Sequence, residues 1–212
     1  AEIDSVVASG PEAVGTVISA CRWGWVGSVQ TRLAAVAASY DGCKTVRMVI
    51  CRHGTNRGMV EVQFMSHTEI SYGNMKVAPA DYIQIELLGR TNNAYRWAGE
   101  ADVLEAVEAA KKSYAIDENR VLLRGFSMGG SGTWHLGLHH PDHWAAIEPG
   151  AGFNDTIRYA HLPNLPPQDL KSIHIYDSRD YSLNVFQLPT AAYTGEDDGQ
   201  KQNLDNFREE LE

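Results

Sequence analysis

One stretch constrains this chain more than any other, an apolar run ending in a glycine-flanked serine. Val121-Leu122-Leu123-Arg124 reads as a strand, Gly125-Phe126-Ser127-Met128-Gly129-Gly130 as a sharp turn, and the following residues, with Trp134, Leu136 and Leu138, as a helix. A serine on so tight a turn has its Oγ pushed into the open, and glycines two residues before and after it spare strand and helix a collision. The free N–H groups and positive dipole end at the helix start favour negative charge developing on a carbonyl oxygen under attack. Ser127 is the candidate nucleophile, and Met128 offers one N–H of an oxyanion hole.

The rest of the chain alternates strands with helices. Strands are expected over 13–20, 45–51, 82–88, 120–124, 144–148, 173–176 and 190–194, and helices over 28–40, 98–114, 181–186 and 200–211, with one helical turn at 155–159. Residues 57–80 fit either an alternating strand at Val60, Val62 and Phe64 or a crossover helix. The pattern predicts a single α/β domain over 1–212, a doubly wound and mostly parallel sheet covered on both faces. The run at 45–51 feeds Arg52-His53-Gly54-Thr55. In a fold built around a serine turn this loop is expected beside the nucleophile, so Thr55, with Gly54 letting the backbone approach, is the candidate second oxyanion donor.

The helix over 98–114 carries Glu100 and Asp102 at its start and Lys111 and Lys112 at its end, a charge order matched to its dipole and read as a solvated face. His135, His139, His140 and His143 crowd the helix after Ser127, where packing and capping account for them; no Glu follows His135 as a zinc-helix motif requires. The proline-rich stretch Leu162-Pro163-Asn164-Leu165-Pro166-Pro167 makes 150–172 a candidate lid, or else a rigid surface crossing. Arg22-Trp23-Gly24-Trp25 reads as packing at a strand end.

Net charge excludes one class of partner. At −9 over 212 residues the chain lacks the basic stripe that phosphate neutralisation needs, so no nucleic acid is expected, and no apolar run approaches a membrane span. The three cysteines, Cys21, Cys43 and Cys51, show no C-x-x-C spacing, so neither a metal nor a dithiol site is indicated; Cys21 and Cys43 would pair only in an exported protein. A cytoplasmic protein and one exported after signal-peptide removal both fit, and a homo-oligomer stays open.

Four segments together resemble the α/β-hydrolase superfamily, especially its bacterial esterases and prolyl-oligopeptidase-like proteins. They are Gly89-Arg90-Thr91-Asn92-Asn93-Ala94-Tyr95, Arg124 to Gly130 around the serine, Pro149-Gly150-Ala151-Gly152-Phe153, and Tyr193-Thr194-Gly195-Glu196-Asp197-Asp198. The resemblance spans roughly 81–207. It implies a Ser-Asp-His triad in that chain order, no cofactor, and a small-molecule ester substrate. Asp198 is the implied acid, with Asp197 as the alternative, and it would orient a histidine without taking its proton.

The sequence departs from that pattern at the base. The superfamily places its histidine after one further strand, whereas the last histidine here is His174 and the sequence ends at Glu212 inside the helix after Asp198, so the sheet is expected to lack its last strand. Three explanations compete: a piece of a longer protein, a hydrolase fold that binds without turning over, or recruitment of His161 or His53. The sequence reading is a carboxylesterase-type serine hydrolase; a peptidase using the same residues, or a non-catalytic binding module, are the alternatives.

Overall fold

β-branched and apolar residues in short runs build the sheet that carries everything else. The computed structural model describes residues 15–22, 29–36, 39–55, 58–64, 81–162 and 164–212. Its strands are β1 (Gly15–Arg22), β2 (Val29–Val36), β3 (Val46–Arg52), β4 (Tyr82–Leu87), β5 (Ile116–Phe126) and β6 (Ala146–Gly150). They form one six-stranded sheet in the order β1-β2-β4-β3-β5-β6. β2 runs antiparallel to both β1 and β4, and β4, β3, β5 and β6 are mutually parallel. The mostly parallel α/β sheet is the expected one.

Helices follow on both sides of the chain's apolar strands. They are α1 (Ala98–Ser113), α2 (Met128–His139), α3 (Thr156–Tyr159), α4 (Pro167–His174) and α5 (Lys201–Leu211), with a 3₁₀ stretch at Ser178–Gln187 and a single helical turn over 61–64. The main core joins Met48 and Ile50 of β3, Ile83 and Ile85 of β4, and Leu123 of β5 to Val103 and Ala106 of α1 and Leu136 of α2. A smaller cluster of Leu33, Phe64 and Leu88 covers the opposite face. Parallel strands buried on both faces need this near-continuous apolar composition.

Three expected elements differ. Residues 28–40 read as a helix from their alanines, but 29–36 are the strand β2. Its neighbours Leu33 and Ala34 enter different clusters on opposite faces of the sheet, the period-two signature of a strand, because pairing with β1 and β4 overrides alanine's helix preference. The strand expected over 173–176 is instead the end of α4 and the turn after it; Pro167 occupies the first turn and presets the helical φ that the rest follow. The strand expected over 190–194 is reduced to two isolated parallel bridges to β6, Ile147 with Thr190 and Gly150 with Tyr193. Of the 57–80 stretch, the described residues 58–64 hold the helical turn at 61–64, with Phe64 buried and Val60 and Val62 exposed. Residues 23–28, including Trp23 and Trp25, lie outside the described residues.

Glu108 and Lys112 lie on the solvated face expected, but Glu100 and Asp102 do not. Asp102 is buried in an ion pair with Arg90, 2.9 Å, and Glu100 receives hydrogen bonds from His135 Nε2, 2.8 Å, and His140 Nε2, 2.6 Å. All three partners are far along the chain or on a loop, so local helix position could not reveal them. Cys43 carries a free, exposed thiol.

Candidate active site

Steric crowding at the end of β5 dictates the shape of the site. Ser127 joins β5 to α2 at φ 56°, ψ −118°, a left-handed backbone that a non-glycine residue adopts only under constraint. Its N–H donates to Gly150 O at 2.9 Å, and its own carbonyl accepts the first helical bond, from Ser131 N–H at 3.0 Å. A side chain at Gly125 would strike the backbone of Gly129, and one at Gly129 the carbonyl of Arg52. The glycines flanking the serine are therefore demanded by backbone-on-backbone approach, as the sequence reading held.

The N–H groups of Met128, Gly129 and Gly130 precede that first helical bond and have no acceptor within α2. The 53–55 loop runs alongside: a Cβ at Gly54 would lie 3.3 Å from Ser127 Cβ and 3.8 Å from its Oγ. The structure thus brings Ser127, Met128, Gly54 and Thr55 together, and Ser127, Met128 and Thr55 line one cleft of about 330 Å³.

Two residues that sequence reasoning missed hold this loop against the helix. Arg52, 4% exposed, donates from Nη1 to Gly132 O at 3.1 Å and from Nη2 to Thr133 Oγ1, and its guanidinium sits 5.3 Å over the Tyr95 ring. Tyr95, fully buried, donates from its hydroxyl to Leu87 O at 3.0 Å and accepts from His53 N–H at 3.2 Å. Tyr95 lies in the 89–97 loop, where Arg90, Ala94, Tyr95 and Trp97 all have positive φ. Asn93 stabilises that strain by accepting from Tyr95 N–H at 2.9 Å and donating to Arg96 O at 3.3 Å. The paired asparagines were the available sequence signal, since asparagine side chains commonly mimic backbone in turns.

The far wall is aromatic and charged. Phe153 and Tyr159 stack with centroids 4.1 Å apart and 9° between planes, and Trp97 packs edge-on against Tyr176 at 5.5 Å. Arg96 holds this wall in place: it is 7% exposed, donates to Thr156 Oγ1 at 2.9 Å, pairs with Asp177 at 3.3 Å and lies 5.4 Å over Phe153. Burial lowers the Arg96 guanidinium from its ordinary value, against the pull of Asp177.

The acid and base candidates stand further off. Asp198 is half-buried in the turn before α5; its Oδ1 accepts from Gln200 N–H at 2.8 Å and its carbonyl from Lys201 N–H at 2.9 Å. Gln200 lines the Ser127 cleft, so Asp198 is two residues from its wall, while Asp197 is exposed. His161 is exposed with φ 50°, two residues beyond Tyr159 of the cleft. Both ring nitrogens of His53 face carbonyls, Nδ1 2.7 Å from Gly54 O and Nε2 2.8 Å from Leu88 O. Among the described residues lining the cleft, none is a histidine or carboxylate.

Comparison with known proteins adds to this geometry. The model of the prolyl oligopeptidase family matches residues 90–183. No curated protein sequence matches the chain. Among solved structures, FphF, a fluorophosphonate-binding serine hydrolase of Staphylococcus aureus, superposes with a TM-score of 0.70 at 16% identity, over 93% of this chain and 85% of that one. A ferulic acid esterase gives 0.65 at 16% identity, over 92% and 84%. The S-formylglutathione hydrolase FrmB of Staphylococcus aureus gives 0.64 at 16% identity, over 93% and 83%. At such identities the likeness speaks for the fold: this is a chain of the α/β-hydrolase fold whose central segment, 90–183, matches the prolyl oligopeptidase family.

Proposed function

We propose that this chain is a serine hydrolase of carboxylic esters, with Ser127 as nucleophile. The observation that carries the reading is the strained Ser127 backbone lining a cleft of about 330 Å³, with Gly54 close to its side chain and the first N–H groups of α2, which have no acceptor within that helix, following it. A serine held at such cost is held for its Oγ.

In this reading Ser127 Oγ attacks the ester carbonyl carbon and its proton passes to a base. The carbonyl oxygen becomes an oxyanion held by the Met128 and Thr55 N–H groups, a contribution worth about 3 kcal/mol per donor. Collapse breaks the ester C–O bond, the base returns the proton to the departing alcohol, and water then releases the acyl group by the same route. Asp198 orients the protonated base. Of the two histidines that could be recruited, His161 is the better supported, because it is exposed and two residues along the chain from Tyr159, which lines the cleft, while His53 has both nitrogens engaged by carbonyls. Phe153 and Tyr159 line the cleft, which supports a covering role for 150–172. The substrate is a small ester, the residues need no metal or organic cofactor for these steps, and a homo-oligomer is compatible with the reading.

A peptidase is the second reading, favoured by the family match over 90–183. The test is turnover of p-nitrophenyl acetate and butyrate against an aminoacyl p-nitroanilide, with Ser127→Ala and His161→Ala beside the wild type. Ester turnover lost in both variants supports the proposal, anilide turnover alone favours the peptidase, and equal background for every protein overturns catalysis by this chain.

A further inference from the structure

The cleft at Ser127 leaves large aromatic faces open where a folded protein ordinarily hides them. Trp97 is 59% exposed and Tyr159 46% exposed, and both line the cleft together with the half-buried Phe153. These rings are fixed. Tyr159 lies flat on Phe153, the Arg96 guanidinium covers Phe153 at 5.4 Å, and the Phe153 N–H donates to Ser131 Oγ at 2.8 Å, on the first turn of the helix that starts after the nucleophile. Trp97 is held edge-on by Tyr176 and by a left-handed backbone at φ 53°.

Rigid, open π-faces discriminate between ligands of equal size. An aliphatic chain gains only from the area it covers, whereas a flat ring gains in addition from offset stacking or edge-to-face contact. The rings are already ordered, so little rotamer freedom is lost when a ligand arrives. A cleft of about 330 Å³ has room for one substituted ring beside an ester group.

Resting on the reading of Ser127 as nucleophile, we propose that the cleft selects esters bearing a flat aromatic ring, held against Trp97 and the Phe153–Tyr159 stack. The test is equilibrium binding to the Ser127→Ala chain, which does not depend on turnover or on the source of the base. Ligand-observed NMR titrations would compare ethyl cinnamate, ring on the acyl side, and phenyl acetate, ring on the alcohol side, with ethyl hexanoate. At least one aromatic ester should bind about tenfold tighter than the hexanoate, and the tighter of the two assigns the side. Trp97→Ala or Tyr159→Ala should weaken that ester about three- to tenfold and the hexanoate by clearly less, while Trp97→Phe and Tyr159→Phe should retain most of the preference. Hexanoate binding as tightly as both aromatic esters, or equal losses for both classes, would overturn the proposal. Fluorophosphonate labelling of the wild type reports separately on Ser127. Labelling without ring preference sinks only this inference, and ring preference without labelling sinks only the hydrolase reading.

Discussion

Gly54 and Ser127 stand so close that a single methyl group on the former would press on the latter, 3.3 Å from Cβ and 3.8 Å from Oγ. Neighbours can yield a few tenths of an ångström, but Ser127 is pinned from both sides by its bonds with Gly150 O and Ser131 N–H. The displacement therefore falls on the 53–55 loop, which carries Thr55, the proposed second oxyanion donor.

Gly54→Ala should thus lower the rate of Ser127 acylation about ten- to a hundredfold, the scale on which a misplaced reacting group acts, with little change in thermal stability. Labelling kinetics with a fluorophosphonate and a melting curve separate the two. Full-rate labelling by the variant would remove Thr55 from the oxyanion role.

Glu100 links α1 to the end of α2 through His135 and His140, and it makes stability depend on pH in one direction. Burial raises the Glu100 carboxyl, but hydrogen bonds from both histidines and their charges outweigh it and hold the group well below the usual carboxylate range. Burial lowers His135 further than its bond with Glu100 restores it. A depressed carboxyl stabilises above its unfolded value of 4.5 and loses that as pH falls. A depressed histidine binds its proton in the unfolded chain first, so its penalty grows as pH falls below 6.5. Both effects destabilise on acidification. Melting temperature should fall from pH 7 to pH 5, and His135→Gln should flatten that slope even where it lowers stability overall. An unchanged slope in the variant would refute the assignment.

Arg96 and Asp177 tie the 89–97 loop to the wall that carries Phe153. Their side chains are 9% and 4% exposed, and Asp177 also accepts from Thr156 N–H at 3.0 Å and from the Thr156 hydroxyl. Arg96→Met leaves a buried carboxylate without its counter-charge, which costs about 3–5 kcal/mol, or on the order of 10 °C in melting temperature for a chain of this size. Adding Asp177→Asn should recover part of that loss. A double variant no more stable than Arg96→Met would show that the guanidinium acts by packing on Phe153, not by neutralising Asp177.

Much of this arrangement is local and therefore readable. The glycines around Ser127, the apolar β3 run feeding His53-Gly54, and the amphipathic pattern of α1 are each set by their own neighbours in sequence. What escaped reading is set at long range. Leu33 and Ala34 belong to opposite faces only once β2 has two partners, and Glu100 is a functional-looking tie only once α2 brings His135 and His140 to it. Trp97, on the loop before α1, and Tyr159, at the end of α3, are far apart in sequence and meet only at one cleft. The candidate nucleophile was legible because backbone sterics single it out; the walls of its cleft are ordinary aromatic residues until the fold gathers them.

The acid candidate precedes a helix anchored in the core by a buried ring. Phe207 of α5 is 3% exposed and packs on Trp134 of α2 with centroids 4.7 Å apart. Truncation to alanine should cost about 3–5 kcal/mol through the cavity left under α5. The loss need not be uniform, because Asp198 is connected to α5 by the Gln200 and Lys201 amides that bond to its carboxylate and carbonyl. Phe207→Ala should therefore speed hydrogen exchange at Gln200 and Lys201 more than at the α2 amides, and Phe207→Leu should restore most of the protection. Any esterase activity should fall with the loss of protection at these two amides, since in the proposed reading a carboxylate on a loosened turn no longer orients the base. Wild-type activity in a variant whose α5 amides exchange freely would remove Asp198 from the catalytic reading and leave it a helix cap.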